Sequence, residues 1–411
     1  MLSSIPHHNI ASDKINGKIP FTTSGTVLLH IDFLLTGIVM TFLGPMLPIL
    51  AARWSLNDSA AGALIFAQFL SSMFGMLVSG ILVERQGYRV TLILGSILMA
   101  LGMALLGSGP YWSGILSVCI LGLGHGITTP AGNLRTAEVD ASRSASALNV
   151  INAVWGIGAM SSPFLLAAAQ KVQRPELFLY GTSIGLILLL LCLALSRFSP
   201  DTRMHISQSQ AAVTASSLPM LLLICGLFFI YVGTETSCGG WVATYAHRMS
   251  PGESTLWALT PSFFWGSLLA GRTLAAVALR FKPATTIAKI GLTLALIGGV
   301  ALVSAHNIET VMAAAVLAGL GLASIFPISV SLLPVWFGDS ARRASGAVFG
   351  SGNMGGAALP WVVGAVSTHF GGLRAGFTVP LLGVAIMFAF YFSSAVSRQA
   401  QAVIEPERSV V

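Results

Sequence analysis

The chain has 411 residues, 55% of them hydrophobic and only 9% charged, against about 25% charged in ordinary soluble domains. A mean hydropathy of +0.82 over this length excludes a water-exposed surface. The formal charge of +7 invites a nucleic-acid reading, but that needs a basic cluster in a soluble module, and none is present.

Crossing a hydrocarbon core of about 30 Å takes roughly 20 apolar residues as helix. Twelve stretches qualify: 25–51, 59–83, 90–108, 112–134, 145–169, 177–196, 219–246, 255–279, 284–304, 309–335, 344–367 and 374–396. The expected fold is therefore an all-α polytopic membrane protein of twelve transmembrane helices. Residues 1–24 are too polar for a signal-peptide apolar region, so the first span is expected to act as an uncleaved insertion signal. With the N-terminus placed in the cytoplasm, sixteen of the 21 basic residues fall on the inner side and five, Arg53, Lys171, Arg174, Arg248 and Arg374, on the outer. This positive-inside bias places both termini in the cytoplasm, and a bacterial inner membrane is the expected location. Cys119, Cys192, Cys225 and Cys238 all fall inside spans, where they read as small buried hydrophobes; no metal spacing or cofactor motif is found.

In chain order, the first span carries Asp32, seven residues from its inner end. The second carries Gln68 near its middle. Between spans two and three runs GILVERQGYR, residues 80–89, a short charged turn. Span four carries His125, Thr129 and Asn133 at intervals of four; span five carries Asn149, Asn152 and Trp155 at intervals of three. Neutral amides and hydroxyls offer both donors and acceptors, which suits a polyhydroxylated neutral solute, although any one of them serves equally as glue between helices.

Residues 199–218, SPDTRMHISQSQAAVTASSL, form the longest polar interval inside the chain. They divide it into a cytoplasmic tail (1–24), a six-helix bundle (25–198), a linker (199–218), a second six-helix bundle (219–396) and a C-terminal tail (397–411). Gly37 and Gly44 of GIVMTFLGP match Gly233 and Gly240 of GTETSCGGW at one constant offset. With the equal halves, this supports the internal duplication that transporters use.

Span seven, FIYVGTETSCGGWVATYA, holds Glu235 near its centre. Of fourteen acidic residues only Asp32 and Glu235 lie well within spans, where a charge costs about 2.5–3.5 kcal/mol. Carried neutral, Glu235 makes its proton a candidate for the coupled cargo, with Asp32 a second coupling site or an inner-gate charge. Thr234, Cys238, Trp241 and Tyr245 form one helical stripe, and rings with polar tips suit sugars; Tyr245 also reads as an interface anchor. Arg272 in span eight either snorkels to the surface or serves as counter-ion to a carboxylate. Asn353 lies in span eleven.

Gly80-x-x-x-Glu84-Arg85-x-Gly87-x-Arg89 resembles the loop motif of the major facilitator superfamily, with Glu for Asp and Tyr88 for a basic residue. The resemblance implies two six-helix bundles around a central cavity and a gating role for Gly80, Glu84, Arg85, Gly87 and Arg89, with Arg272 added from its position. YVGTETSCGGWVATYA, ALNVINAVWGIGAMSSPFLL, FWGSLLAGR and GSGNMGGAALP are similar to helices seven, five, eight and eleven of the fucose, galactose and glucose proton-symporter branch. No acidic residue matches the one expected in that branch's fourth helix; His125 and Asn133 are the polar residues there. The function expected is proton-coupled uptake of a small polar solute, a monosaccharide, by alternating access, by a monomer in a lipid bilayer. Candidate binding residues are Gln68, His125, Asn133, Asn149, Asn152, Trp155, Thr234, Trp241, Tyr245 and Asn353. Proton-driven efflux of an amphipathic drug or lipid is the alternative, since Trp, Phe and Met also suit apolar cargo. A receptor lacks any appended soluble domain, and an enzyme lacks HExxH, Gly-x-Ser-x-Gly or paired intramembrane aspartates.

Overall fold

The computed structural model describes residues 23–139, 144–196, 218–250, 255–331 and 333–392; all but the last residue of the linker 199–218, all but the last two of the tail 1–24, and the whole tail 397–411 lie outside the described residues. Every regular element among them is helical. The first half holds α1 (Thr23–Thr41), α2 (Leu43–Trp54), α3 (Asp58–Leu106), α4 (Tyr111–Val139), α5 (Ser144–Lys171) and α6 (Glu176–Leu195). The second holds α7 (Leu218–Met249), α8 (Thr260–Ala278), α9 (Ala284–Val303), α10 (Ile308–Leu322), α11 (Ile325–Ser331), α12 (Leu333–Phe337), α13 (Ala341–His369), α14 (Leu373–Gly376) and α15 (Thr378–Phe392).

The twelve expected spans are accounted for as follows. Among the described residues eight helical stretches are long and apolar enough to cross a bilayer, and α1 with α2 forms a ninth span bent by 42°. The bend sits where Pro45 and Pro48 withhold their N–H groups from the carbonyls four residues earlier. One of the eight, α3, is two spans. At 49 residues it is about twice as long as a bilayer needs, and it breaks at Gly87, whose φ of 82° glycine adopts without steric cost. The chain folds back there: Ser72 from one limb and Gly95 from the other both lie against Gly124–Gly126 of α4. The remaining two, α8 and α13, are more polar, and both contribute to the central cavity.

Close helix crossings use glycine in both halves. A Cβ on Gly37 of α1 would meet the Trp155 carbonyl of α5 at 2.2 Å, and one on Gly158 the Leu34 carbonyl at 2.1 Å. In the second half a Cβ on Gly233 of α7 would meet the Gly355 carbonyl of α13 at 2.8 Å, and one on Gly355 the Phe229 carbonyl at 1.9 Å. Gly37 and Gly233 are one of the offset pairs, so each half's first span crosses its fifth over matching glycines. The packing fits backbone-to-backbone approach in lipid.

Between the halves, α2 packs on α7, α3 on α13 and α5 on α8. At the end where α3 begins and α7 finishes, Arg248 donates to both Asp58 oxygens, at 2.9 and 2.5 Å. The Ser367 hydroxyl donates to Asp58 at 2.5 Å, and the Ser59 amide to Thr368 at 3.0 Å. The buried Trp241 donates its indole N–H to the Pro360 carbonyl at 2.8 Å.

Candidate functional site

A cavity of about 670 Å³ lies between the halves. Its first wall comes from α1 to α5 and includes Met40, Gln68, Phe69, Met76, His125, Thr129, Asn133, Asn152 and Trp155. Its second comes from α7, α8, α11 and α13 and includes Phe228, Tyr231, Glu235, Trp265, Arg272, Phe326, Phe349 and Asn353.

The polar groups are already partly tied. Gln68 Nε2 donates to the carbonyls of Val39 (3.2 Å) and Met40 (3.4 Å), next to the bend between α1 and α2. His125 sits between Ser72 Oγ, 3.1 Å from Nδ1, and Thr129 Oγ1, 3.2 Å from Nε2. A neutral imidazole has one donor and one acceptor nitrogen, so one hydroxyl donates to the ring and the other accepts. Asn152 Nδ2 donates to the Leu148 carbonyl at 2.8 Å and approaches Asn133 Oδ1 at 3.5 Å. Asn353 Nδ2 donates to the Phe349 carbonyl at 3.1 Å.

Charge is concentrated at one place. The Tyr231 hydroxyl donates a short hydrogen bond to Glu235 Oε2, and Arg272 Nη2 stands 3.5 Å from the same oxygen. Arg272 thus points inward from α8 instead of snorkelling out. Opposite charges in a low-dielectric site compensate each other strongly, which is how a carboxylate and a guanidinium are held together inside the membrane.

Of the residues expected from sequence, Gln68, His125, Asn133, Asn152, Trp155, Asn353, Glu235 and Arg272 are brought together around this cavity. Asn149 instead lies on the exposed face of α5. The expected stripe on α7 is turned away. Thr234 packs against Gly383 of α15, Trp241 is wedged beside Gly62 and Gly364, and Tyr245 lies 5.0 Å ring to ring from Phe377. The stripe facing the cavity is Phe228, Tyr231, Glu235 and Gly239, about one residue round the helix. Both stripes mix polar and aromatic residues, so composition does not separate them; packing does, because glycines on α3 and α13 make the niche that only the Trp241 face fills. Tyr231 was missed, though its spacing of four before Glu235 is the signal that pairs side chains on a helix. Trp265 and Phe326 carried no signal beyond their apolar spans.

Asp32 does not line the cavity. It is fully buried in α1, and neither carboxylate oxygen has a hydrogen-bond partner among the described residues. In the loop motif Glu84 and Arg85 are exposed, and no heavy atom outside its own helix lies near the Cβ position of Gly80. Arg89 does not reach across the halves: it donates to the carbonyls of Leu193 (3.0 Å) and Ala194 at the end of α6. Tyr88 donates to Glu138 at 2.5 Å, with the Arg135 guanidinium 5.3 Å from its ring centre.

The sequence profile of the Major Facilitator Superfamily matches residues 31–259, more than half of the chain. The chain belongs to the major facilitator superfamily. Among its superfamily relatives is the glucose/mannose transporter GlcP of Bacillus subtilis, 21% identical over 356 residues, covering 83% of this chain and 87% of GlcP. Another is the human sodium-dependent glucose transporter 1, 23% identical over 381 residues, covering 82% of this chain and 72% of that one. Among solved structures, a D-xylose-proton symporter superposes with a TM-score of 0.73 at 13% identity, over 90% of this chain and 97% of that one.

Proposed function

We propose that this superfamily member is a secondary transporter that takes up a monosaccharide by alternating access, coupled to protons, as a monomer in a bacterial inner membrane with both termini cytoplasmic. The observation that carries the reading is the cavity itself: neutral amides and aromatic rings around a single compensated ion pair. Hydroxyls of a neutral sugar bond to amides, and its C–H faces pack on rings such as Trp155 and Trp265. The names of the relatives, which include glucose and mannose, support a sugar as cargo.

In this reading the two halves, 25–198 and 219–396, rock about the cavity and expose it to one side at a time. Glu235 and Arg272 stand on two helices of the same half, so rocking carries the pair as a unit and cargo entering between their side chains is what separates them. A carboxylate left in the membrane without its counter-ion is costly, and Glu235 then stays as the neutral acid, with the Tyr231 hydroxyl beside it. Asp32, buried and without a hydrogen-bond partner among the described residues, is the second coupling candidate. The motif at 80–89, with Glu84 and Arg85 exposed, contributes to the change of state at the end where α3 turns.

The test is counterflow in proteoliposomes over a panel of hexoses and pentoses, followed by accumulation under imposed proton and sodium gradients. Exchange of a hexose with accumulation driven by the proton gradient alone is expected. Accumulation driven only by sodium would overturn proton coupling while leaving sugar transport intact. Exchange of amphipathic compounds and of no sugar would favour efflux, which the many Phe and Met side chains of the lining would then explain.

A further inference from the structure

The hydrogen bonds already made inside the cavity fix which way its amides face. Gln68, Asn152 and Asn353 all line it, and each amide has an NH2 end and a carbonyl end. In all three the partner already engaged is a backbone carbonyl oxygen: Val39 and Met40 for Gln68, Leu148 for Asn152 and Phe349 for Asn353. A carbonyl only accepts, so the NH2 end must face it and the amide cannot be flipped without setting oxygen against oxygen. The second N–H of each NH2 is directed at a protein acceptor too, the Met40 carbonyl for Gln68, Asn133 Oδ1 for Asn152 at 3.5 Å and Met76 Sδ for Asn353 at 3.4 Å, so what each residue has left to offer is its carbonyl oxygen, an acceptor.

Several other polar groups are also engaged, although the wall carries donors as well, in the Asn133 amide, whose oxygen faces Asn152, and in the indole N–H groups of Trp155 and Trp265. Both ring nitrogens of His125 are occupied by Ser72 and Thr129. The hydroxyls of Thr41 and Thr236 are donated to the carbonyls of Gly37 and Val232, at 2.9 and 2.7 Å. Glu235 accepts, and Arg272, the strong donor, is turned toward it. Met, Phe and glycine fill much of the remaining wall.

We propose that this cavity recognises its cargo through hydroxyl groups that donate hydrogen bonds, with Gln68 Oε1, Asn152 Oδ1 and Asn353 Oδ1 as the acceptors, two from one half of the protein and one from the other. The inference rests on the sugar reading above and deepens it: at these three residues the cargo is read by the O–H protons it donates. Because the three acceptors belong to both halves, a cargo that donates to all of them bridges α3 and α5 to α13, and its hydroxyls hold the two walls at one separation.

The experiment compares, for the unaltered full-length protein in proteoliposomes, each monodeoxy and each monodeoxyfluoro analogue of the hexose that gives counterflow. Fluorine keeps a weak acceptor in place of the hydroxyl but cannot donate. Where a sugar hydroxyl donates to one of these carbonyls, deoxy and deoxyfluoro analogues lose affinity equally, by about tenfold, the size of one hydrogen bond to a buried acceptor. Repeating the series in Gln68→Leu, Asn152→Ala and Asn353→Ala assigns each position, because the loss at its own hydroxyl disappears in the matching variant. Deoxyfluoro analogues that keep the parent's affinity wherever the deoxy analogue loses it would overturn the inference, since the protein would then be the donor; that comparison needs no variant to fold. Losses that persist undiminished in three well-folded variants would also overturn it. A protein that exchanges no sugar of the panel overturns the sugar reading and this inference with it, a result distinct from either of the others.

Discussion

At Glu235 the neighbours determine what a substitution reveals. The Tyr231 hydroxyl and the Arg272 guanidinium both address one carboxylate oxygen, so Glu235→Gln keeps the shape of the site and removes its negative charge. If Glu235 carries the coupled proton, Gln imitates the permanently protonated form. Hexose counterflow is then retained within about threefold, while accumulation driven by a proton gradient is lost. Each charge moved is worth about 2.3 kcal/mol per 100 mV, roughly fortyfold in concentration of a neutral solute, so the loss is readily measured. Uphill uptake that survives in Glu235→Gln and fails in Asp32→Asn would move the coupling to α1, where the buried Asp32 has no hydrogen-bond partner among the described residues. Loss of counterflow together with accumulation would make Glu235 a ligand of the cargo. That these two carboxylates are the ones to test was legible from sequence, because an acidic residue in an apolar span is costly wherever it sits. Their different surroundings were not, since the partner of Glu235 lies 37 residues away on another helix.

Along whole helices, patterns stated by length and breakers proved easier to read than patterns stated by face. The apolar runs gave the spans, and the bend between α1 and α2 lies beside Pro45 and Pro48, residues that cannot donate to the helix ladder. The face of α7 was assigned one residue out: Thr234, Trp241 and Tyr245 pack away from the cavity while Tyr231 and Glu235 line it. In a membrane protein both faces of an interior helix are packed, and hydropathy does not say which packed face meets a cavity. The turn inside α3 shows the other case, where one residue type decides. Gly87 stands at φ 82°, ψ 168°, a conformation that a β-branched residue enters only at a cost of about 1–3 kcal/mol. Gly87→Val is therefore expected to lower thermal stability in detergent and to slow counterflow severalfold, whereas Gly80→Ala, with open space at its Cβ position, leaves both near the starting values. Equal behaviour of the two variants would show that the turn tolerates a side chain and that its glycine is not what folds the hairpin.

Across the whole molecule, the two halves meet most tightly at the end where α3 begins and α7 finishes. There Asp58 is enclosed by Arg248 and Ser367, and Trp241, fully buried, closes the space between α3 and α13. Asp58 opens α3 and Arg248 ends α7, so each also sits favourably at its helix terminus. The Arg248 side chain is 44% exposed, and a pair of that exposure is worth only about 1 kcal/mol. If this end opens in the proposed alternating access, the pair breaks, and it then biases the resting equilibrium about fivefold without locking it. In a chain with its four cysteines replaced and Ile65, which lines the cavity, changed to Cys, a membrane-impermeant thiol reagent added on that side should label slowly. Asp58→Ala is expected to raise the labelling rate by about that factor. Exchanging the charges, Asp58→Arg with Arg248→Asp, recovers only part of the difference, because the swapped pair loses the Ser367 hydrogen bond and opposes both helix dipoles. Labelling that is unchanged by Asp58→Ala would assign closure of this end to the Trp241 junction alone. A full recovery in the exchanged pair would instead show that Coulomb attraction, and not the buried hydrogen bond from Ser367, holds the halves together there.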